Sequence, residues 1–297
     1  MIPAAFDYHA PSTLPEALAL LTRFGDAAKV LSGGQSLLPL LKLRLGTADH
    51  LVDIGRIPGL EYLREESGML RIGGRTREAA LETSAIVRDR YPILLDTARV
   101  IADPLVRNRA TIGGNLAHGD PGNDHPATML ALRAQVVAVG PKGERVIPID
   151  SFFVGLFATA LAPDEILTEI RIPTPPAHSG GAYVKLERKV GDYATAAAAA
   201  QVTLSAAGTV ERAGIALTNV GPTSRSTAAE KYLTGKKPDA AVIEETARLA
   251  GEACAPNADR RGAVDYKRQM ARVLTGRALT KALSLALGKA ITPSGGR

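Results

Sequence analysis

Lys29-Val30-Leu31-Ser32-Gly33-Gly34-Gln35-Ser36-Leu37-Leu38-Pro39 is a buried-strand signal that runs into a glycine pair and out into an apolar helical stretch. Working outward, Thr13 with Glu16 three residues later reads as a capping box. It precedes an amphipathic helix through Leu14, Ala17, Leu18, Leu21 and Phe24, which Gly25 ends. Phe6, Tyr8 and His9 make a short opening strand. The helical stretch from Leu37 to Leu45 leads to another strand at Leu51-Val52-Asp53-Ile54. The predicted unit is a small β-α-β-α-β fold with a glycine-rich turn after its middle strand.

The next region is mixed. A strand is expected from Met69 to Ile72, a short helix from Thr76 to Glu82, and a longer helix from Pro92 to Ile101. The polar turn Asp103 to Arg109 then enters a second glycine loop, Ala110-Thr111-Ile112-Gly113-Gly114-Asn115. Val136 to Val139 and Arg145 to Ile149 flank Gly140-Pro141-Lys142-Gly143, a hairpin signal. Glu165 to Ile172 alternates as a strand that stops at Pro173. Pro173, Pro175 and Pro176, with Gly180 and Gly181 beyond, mark the expected domain boundary, giving domains 1–176 and 177–297. The first divides further into parts of about 1–55 and 56–176. Ala194 to Ala200 favours helix by propensity. However, Val202, Leu204 and the Ala207-Gly208 turn before Val210 to Thr218 favour two paired strands. Helices are expected from Ser226 onward, the last from Lys267 to Leu287, and Pro293 to Arg297 should fray. The fold class is therefore α+β, closing with an antiparallel sheet and a helical bundle.

Both glycine loops have the chemistry of an anion cradle. A Gly-Gly pair after a strand admits positive φ and close backbone approach, and successive free N–H groups bind phosphate oxygens. Ser32, Ser36, Thr111 and Asn115 add hydrogen-bonding side chains, and a helix start after each loop favours negative charge. Two such loops point to a dinucleotide. Neither has the Gly-x-Gly-x-x-Gly or Walker spacing, which disfavours Rossmann and P-loop readings.

Composition narrows the rest. Of 297 residues, 45% are hydrophobic and 22% charged, as in a folded globular chain. A net charge of +6, scattered, with 4% aromatics and no Trp, disfavours nucleic-acid binding. The basic segment from Lys267 to Lys289 suits an acidic partner protein. There is no apolar run of bilayer length and no basic-then-apolar leader, so the expected compartment is the cytoplasm. Cys254 is the sole cysteine, which excludes an internal disulfide and an iron–sulfur cluster held by this chain alone. It reads as a core filler. His118 and His125 bracket Asp120 and Asp124 in a metal-like composition, but a polar loop explains them, and no metal is expected here. Taken singly, Asp124 is equally an N-cap for a helix from Pro126 to Leu132. Tyr193 is equally a core aromatic, Lys185 with Glu187, Arg188 and Lys189 a solvated strand edge, and Thr111-Ile112 plain strand.

Taken together, three segments resemble the FAD-binding medium subunits of molybdenum hydroxylases. Leu31 to Pro39 is similar to their first flavin motif. Asp103-Pro104 through Arg107-Asn108-Arg109-Ala110-Thr111-Ile112-Gly113-Gly114-Asn115, followed by Asp120-Pro121 and Asp124, resembles the second. Lys189-Val190-Gly191-Asp192-Tyr193-Ala194-Thr195 resembles the third. The likeness covers essentially the whole chain and is nearest to the branch whose complexes oxidise carbon monoxide. It implies a two-subdomain FAD-binding domain followed by the C-terminal medium-subunit domain. It implies FAD contacts at Leu31, Ser32, Gly33, Gly34, Gln35 and Ser36, and at Ala110, Thr111, Ile112, Gly113, Gly114 and Asn115. Ile101, Ala102 and Val106 are implied on the adenine side, and Asp124 at the ribityl or ribose hydroxyls. Leu167, Lys185 and Tyr193 are implied beside the isoalloxazine, where Lys185 would stabilise charge on the reduced ring. Arg75, in Gly73-Gly74-Arg75-Thr76, departs from the small or apolar residue common in relatives. The implied partners are a large subunit with molybdenum–pterin and a small subunit with 2Fe–2S clusters, in a dimer of heterotrimers. Peripheral membrane contact would come through a partner. No residue of this chain is implied as catalytic. The medium subunit of another molybdenum hydroxylase, acting on a purine, N-heterocycle or aromatic thioester, a stand-alone flavin reductase and a non-enzymatic interaction module remain the alternatives.

Overall fold

The structure, a computed structural model, describes residues 2–221, 223 and 225–288. The terminal Pro293 to Arg297, expected to fray, lie outside the described residues. The chain forms two compact units that interleave along the sequence. One contains the residues up to 81, 103–120 and 134–173; the other contains 82–102, 121–133 and the described residues from 174 onward.

The first unit begins as the β-α-β-α-β pattern requires. Strands β1 (Asp7–His9), β2 (Ala28–Leu31) and β3 (His50–Asp53) pair in parallel in the order β1-β3-β2, so the buried Leu51 and Val52 run down the centre. Helix α1 (Leu14–Phe24) packs Ala17 and Leu21 onto this sheet. Thr13 Oγ1 accepts the Glu16 N–H at 3.3 Å, as the capping box predicts, but the Glu16 carboxylate reaches back to the Ser12 N–H at 2.9 Å, one residue earlier than expected. Helix α2 (Leu37–Leu43) follows β2 across the first glycine loop.

The rest of this unit is a five-stranded antiparallel sheet. Strands β4 (Leu63–Glu66) and β5 (Met69–Gly73) form one edge. Helix α3 (Glu78–Thr83) leaves β5, and α4 (Ala85–Arg90) and α5 (Pro92–Val100) belong to the second unit. The expected polar turn contains a single helical turn, α6 (Pro104–Arg107), because Asp103 caps it by accepting the Val106 N–H at 2.9 Å. The second glycine loop opens α7 (Ile112–Ala117), and α8 (Asp124–Ala131) lies in the second unit. Strands β6 (Gln135–Gly140) and β7 (Gly143–Pro148) form the hairpin predicted from Gly-Pro-Lys-Gly, with Gly143 at φ +104°. A small hairpin, β8 (Phe153–Gly155) and β9 (Ala158–Thr159), precedes β10 (Ile166–Pro173). Strand β10 is central in the order β4-β5-β10-β6-β7, which is why it is nearly all buried.

In the second unit β11 (Ser179–Leu186), β12 (Ala196–Leu204) and β13 (Val210–Thr218) form an antiparallel sheet in sequence order. The alanine run Ala196 to Ala200 is its middle strand, although propensity alone favours helix. Close packing decides this. A Cβ on Gly180 would lie 2.0 Å from the Ala282 carbonyl, and one on Gly214 2.0 Å from the Ala131 carbonyl. Helices therefore press onto the sheet at backbone distance, and the side chains between them must be small. The first of these helices is α11 (Val264–Ala286), and the second is α8. Helix α10 (Ala240–Glu252) packs on α11, and α9 (Thr227–Leu233) packs on α10 and β13. Lys267, inside α11, is buried and pairs with Asp259 at 2.7 Å. Cys254 is buried in the same core, and burial pushes its thiol up to about 11. Among the described residues no helix is long and apolar enough to cross a membrane.

Candidate functional site

In the first unit the two glycine loops are locked together. Gly33 is glycine because a Cβ there would sit 2.2 Å from the Arg109 carbonyl, and Gly113 because a Cβ would sit 2.4 Å from the Gly74 carbonyl. Ser32 Oγ and Thr111 Oγ1 are hydrogen-bonded at 3.0 Å. Thr111 also caps α7 through the Gly114 N–H at 3.3 Å. The Ile112 N–H donates to Thr76 O and the Gly113 N–H to Gly74 O, both at 3.0 Å. The second loop thus has its amides satisfied internally and acts as a brace.

The first loop is different. The N–H groups of Gly33, Gly34, Gln35 and Ser36 meet no acceptor among the described residues. Gly34 takes φ +77°, and a Cβ there would meet only the Leu38 and Leu31 side chains. The Gln35 amide donates to Gly33 O at 3.3 Å, steadying the turn. A pocket of about 280 Å³ opens beside this loop, lined by Leu31, Ser32, Thr111, Asp53 and the guanidinium-bearing Arg75, Arg77 and Arg109. Arg75 donates to the Ile57 carbonyl, whereas Arg77 and Arg109 are exposed. Open amides and cations in one place fit a diphosphate. Sequence reasoning missed the three arginines as a group, although Arg109 stood inside the quoted motif. Of the other first-unit residues singled out, Val106 and Ala110 are half-buried, Asn115 lies in α7, and Leu167 is buried with its carbonyl against Gly74.

Thr111→Val keeps the side-chain volume and removes both the α7 cap and the bond to Ser32. Unit stability should fall by about 1 kcal/mol, the usual cost of a lost cap. Ser32→Ala should cost less, and denaturant titration of the two variants checks the order.

In the second unit Asp124 is the first residue of α8, and Asn123 holds the N-cap position. The N-cap reading of Asp124 therefore fails. Its carboxylate is buried and held by β11: Oδ1 accepts the Tyr183 hydroxyl at 2.6 Å, and Oδ2 accepts the Lys185 ammonium at 2.8 Å, each oxygen keeping a second lone pair. Burial pushes this carboxyl above the usual range, against the pull of Lys185 and Tyr183. The solvated-edge reading of Lys185 fails too. Its side chain is 2% exposed, and Nζ also donates to Val100 O at 3.0 Å and lies 3.4 Å from Glu187 Oε2. Tyr183 was missed, although it is two residues before Lys185 on the same strand face.

Tyr193 is 48% exposed, which corrects its reading as a core aromatic. Arg261 donates to the Tyr193 carbonyl, pairs with Asp192 at 2.9 Å, and places its guanidinium 5.8 Å from the tyrosine ring centroid. Burial works to raise the Asp192 carboxyl, but Arg261, Arg188 and the Tyr193 N–H together hold it down to about 2. This clamp is complete above the ordinary aspartate range and is lost only as pH falls from about 4 towards 2. Gly191, at φ +79°, would place a Cβ 2.6 Å from the Ala102 carbonyl, so the Tyr193 loop packs on Ala102, next to the buried Ile101. Among the described residues no group of three or more His, Cys, Asp or Glu side chains gathers as a metal site. His118, its pKa lowered by burial, packs on Phe157 instead.

An α+β fold whose first glycine loop presents open amides beside arginines suits a protein that binds a diphosphate-containing nucleotide. Residues 4–175 match the family described as "FAD binding domain in molybdopterin dehydrogenase", and residues 181–282 match "CO dehydrogenase flavoprotein C-terminal domain". The chain belongs to this family of molybdopterin-dehydrogenase flavoproteins. It is 47% identical over 283 residues to the carbon monoxide dehydrogenase medium chain of Hydrogenophaga pseudoflava, covering 95% of this chain and 98% of the relative. A solved carbon monoxide dehydrogenase from the same organism superposes with a TM-score of 0.93 at 49% identity, covering 96% of this chain and 99% of that one. Quinoline 2-oxidoreductase from Pseudomonas putida 86 superposes at 0.90 with 33% identity, covering 97% and 100%.

Proposed function

We propose that this chain is the FAD-carrying medium subunit of a molybdenum hydroxylase complex, and that the complex oxidises carbon monoxide. Full-length likeness to a carbon monoxide dehydrogenase medium chain, with both family domains in order, carries the reading. The proposed partners are a large molybdenum–pterin subunit and a small 2Fe–2S subunit, as two heterotrimers. One cysteine cannot hold such a cluster, so iron–sulfur chemistry must come from a partner. The cytoplasm is the proposed compartment, checked by cell fractionation.

Bound FAD supplies reversible two-electron storage between the clusters and an external acceptor. The chain's own residues bind and orient it. In the first unit the open amides of Gly33, Gly34, Gln35 and Ser36 take the diphosphate, with Arg77 and Arg109 adding positive charge. Leu31 and Ser32 flank them. Ala110, Thr111, Ile112, Gly113, Gly114 and Asn115 brace that loop, and Val106 serves the adenine side. In the second unit Ile101 and Ala102 serve the adenine side, and Asp124 accepts from a ligand hydroxyl. In the first unit Leu167 would serve as a flavin contact, and in the second unit Lys185 and Tyr193 would. Lys185 already donates to Val100 O and Asp124 and has the Glu187 carboxylate 3.4 Å away, so it acts there as part of an ion-pair cluster rather than as a free cation.

The test is the purified native complex. Its visible spectrum, resolved by subunit, should assign flavin to this chain and iron–sulfur bands to a partner, and carbon monoxide should bleach both without air. A colourless chain in the intact complex would refute the flavin assignment. Bleaching by an N-heterocycle but not by carbon monoxide would refute the substrate alone. Tyr193→Ala should keep FAD, because the diphosphate loop holds it, yet alter flavin reoxidation. Substrate-driven reduction of the molybdenum centre, followed by rapid mixing, should stay unchanged.

A further inference from the structure

We infer that Tyr183 is a positioning residue for the flavin site, acting through its hydrogen bond to Asp124. The inference rests on the reading that Asp124 contacts FAD. Strand β11 alternates, so Tyr183 and Lys185 project from one face towards the start of α8. There they divide the Asp124 carboxylate between them, the phenol on Oδ1 and the ammonium on Oδ2.

The phenol is fixed at several points. Its oxygen lies 3.0 Å from Thr218 Oγ1 on β13, so a neighbouring strand holds the hydroxyl in place. The Tyr183 backbone N–H donates to Asp96 Oδ2 on α5 at 3.2 Å, and Asp96 is itself held by Lys281 of α11 at 2.7 Å. Burial and the facing Asp124 charge push the phenol pKa well above its usual value, so Tyr183 stays protonated and always donates. A permanent donor favours the charged form of Asp124 and fixes which way its oxygens face. Without it, the carboxylate would keep only Lys185, an ammonium it shares with Val100 O and with Glu187 at 3.4 Å. His125 adds positive potential at Asp124 from the next position of α8.

Tyr183→Phe in the assembled three-subunit complex removes the donor and little volume. FAD should remain bound at pH 8. Release on acidification, read as the rise in free-flavin fluorescence, should move up by about one pH unit, because Asp124 then protonates more readily. Thr218→Val, which removes only the phenol's own partner, should give a smaller shift in the same direction, and it serves as the second variant should Tyr183→Phe not assemble. In an Asp124→Asn background Tyr183→Phe should add no further shift. An unchanged release profile in Tyr183→Phe, with Asp124→Asn still weakening FAD, overturns the role of Tyr183. Asp124→Asn with wild-type FAD retention at every pH overturns both the contact at Asp124 and the inference built on it.

Discussion

Gly113→Val is expected to remove FAD and destabilise the first unit together. A Cβ at Gly113 would lie 2.4 Å from Gly74 O and 2.8 Å from Gly74 Cα, and both are backbone atoms that cannot rotate away. The Gly113 N–H donates to the same Gly74 carbonyl, so displacing it also breaks a hydrogen bond. Gly74 has no room to retreat, because its own Cβ position is 2.3 Å from the Leu167 carbonyl on the central strand β10. Overpacking of this kind costs about 1–3 kcal/mol, and the lost bond adds about 1 more. Gly34→Val meets only the side chains of Leu38 and Leu31, and its strain comes from the positive φ, about 1–2 kcal/mol. It should leave the unit folded while closing the amide cradle. Thermal unfolding with flavin content separates the two. Wild-type stability in Gly113→Val would refute the bracing role of the second loop.

That contrast marks how far the sequence could be read. The motif Thr111 to Asn115 is visible as glycine between strand and helix, and the natural inference is backbone approach to a ligand. What Gly113 approaches is Gly74, nearly forty positions earlier, and no local pattern announces that contact. The β-α-β-α-β start, the Gly140-Gly143 hairpin and the Ala196 to Ala200 strand are legible because each is signalled by neighbours: a cap, a turn pair, Val202 and Leu204. Lys185 is not. It stands before Glu187, Arg188 and Lys189, a charge run that looks solvated, and β11 around it shows no polar alternation. Its burial follows from α5 packing on β11 and from the Asp124 carboxylate at the start of α8, both tertiary facts. The sequence motifs did pick out Asp124 and Lys185 separately; the structure makes them one ion pair.

Asp124→Ala is therefore expected to cost more than a ligand contact alone. An exposed cap residue lost to alanine costs about 1 kcal/mol. Here the substitution strands the Lys185 ammonium at 2% exposure and leaves the Tyr183 hydroxyl with only Thr218 as a partner. Breaking a buried pair by removing one partner costs about 3–5 kcal/mol. The lower end applies, because Glu187 remains 3.4 Å from the ammonium and Val100 O still accepts from it. Removing the acid from the first turn of α8 adds about 0.5 kcal/mol. A loss near 3 kcal/mol is expected by denaturant unfolding at pH 8, with FAD affinity reduced as well. Burial raises the Asp124 carboxyl, so the wild-type pair is at full charge only above that raised range. A carboxyl raised by folding contributes stability at low pH that is lost as pH rises through the raised range, so the deficit of the variant should widen as pH falls through it. Lys185→Met added to Asp124→Ala should recover part of the stability, since the stranded charge is gone, but none of the FAD affinity. A loss of only about 1 kcal/mol, unrelieved by Lys185→Met, would mean that Asp124 and Lys185 do not act as a pair.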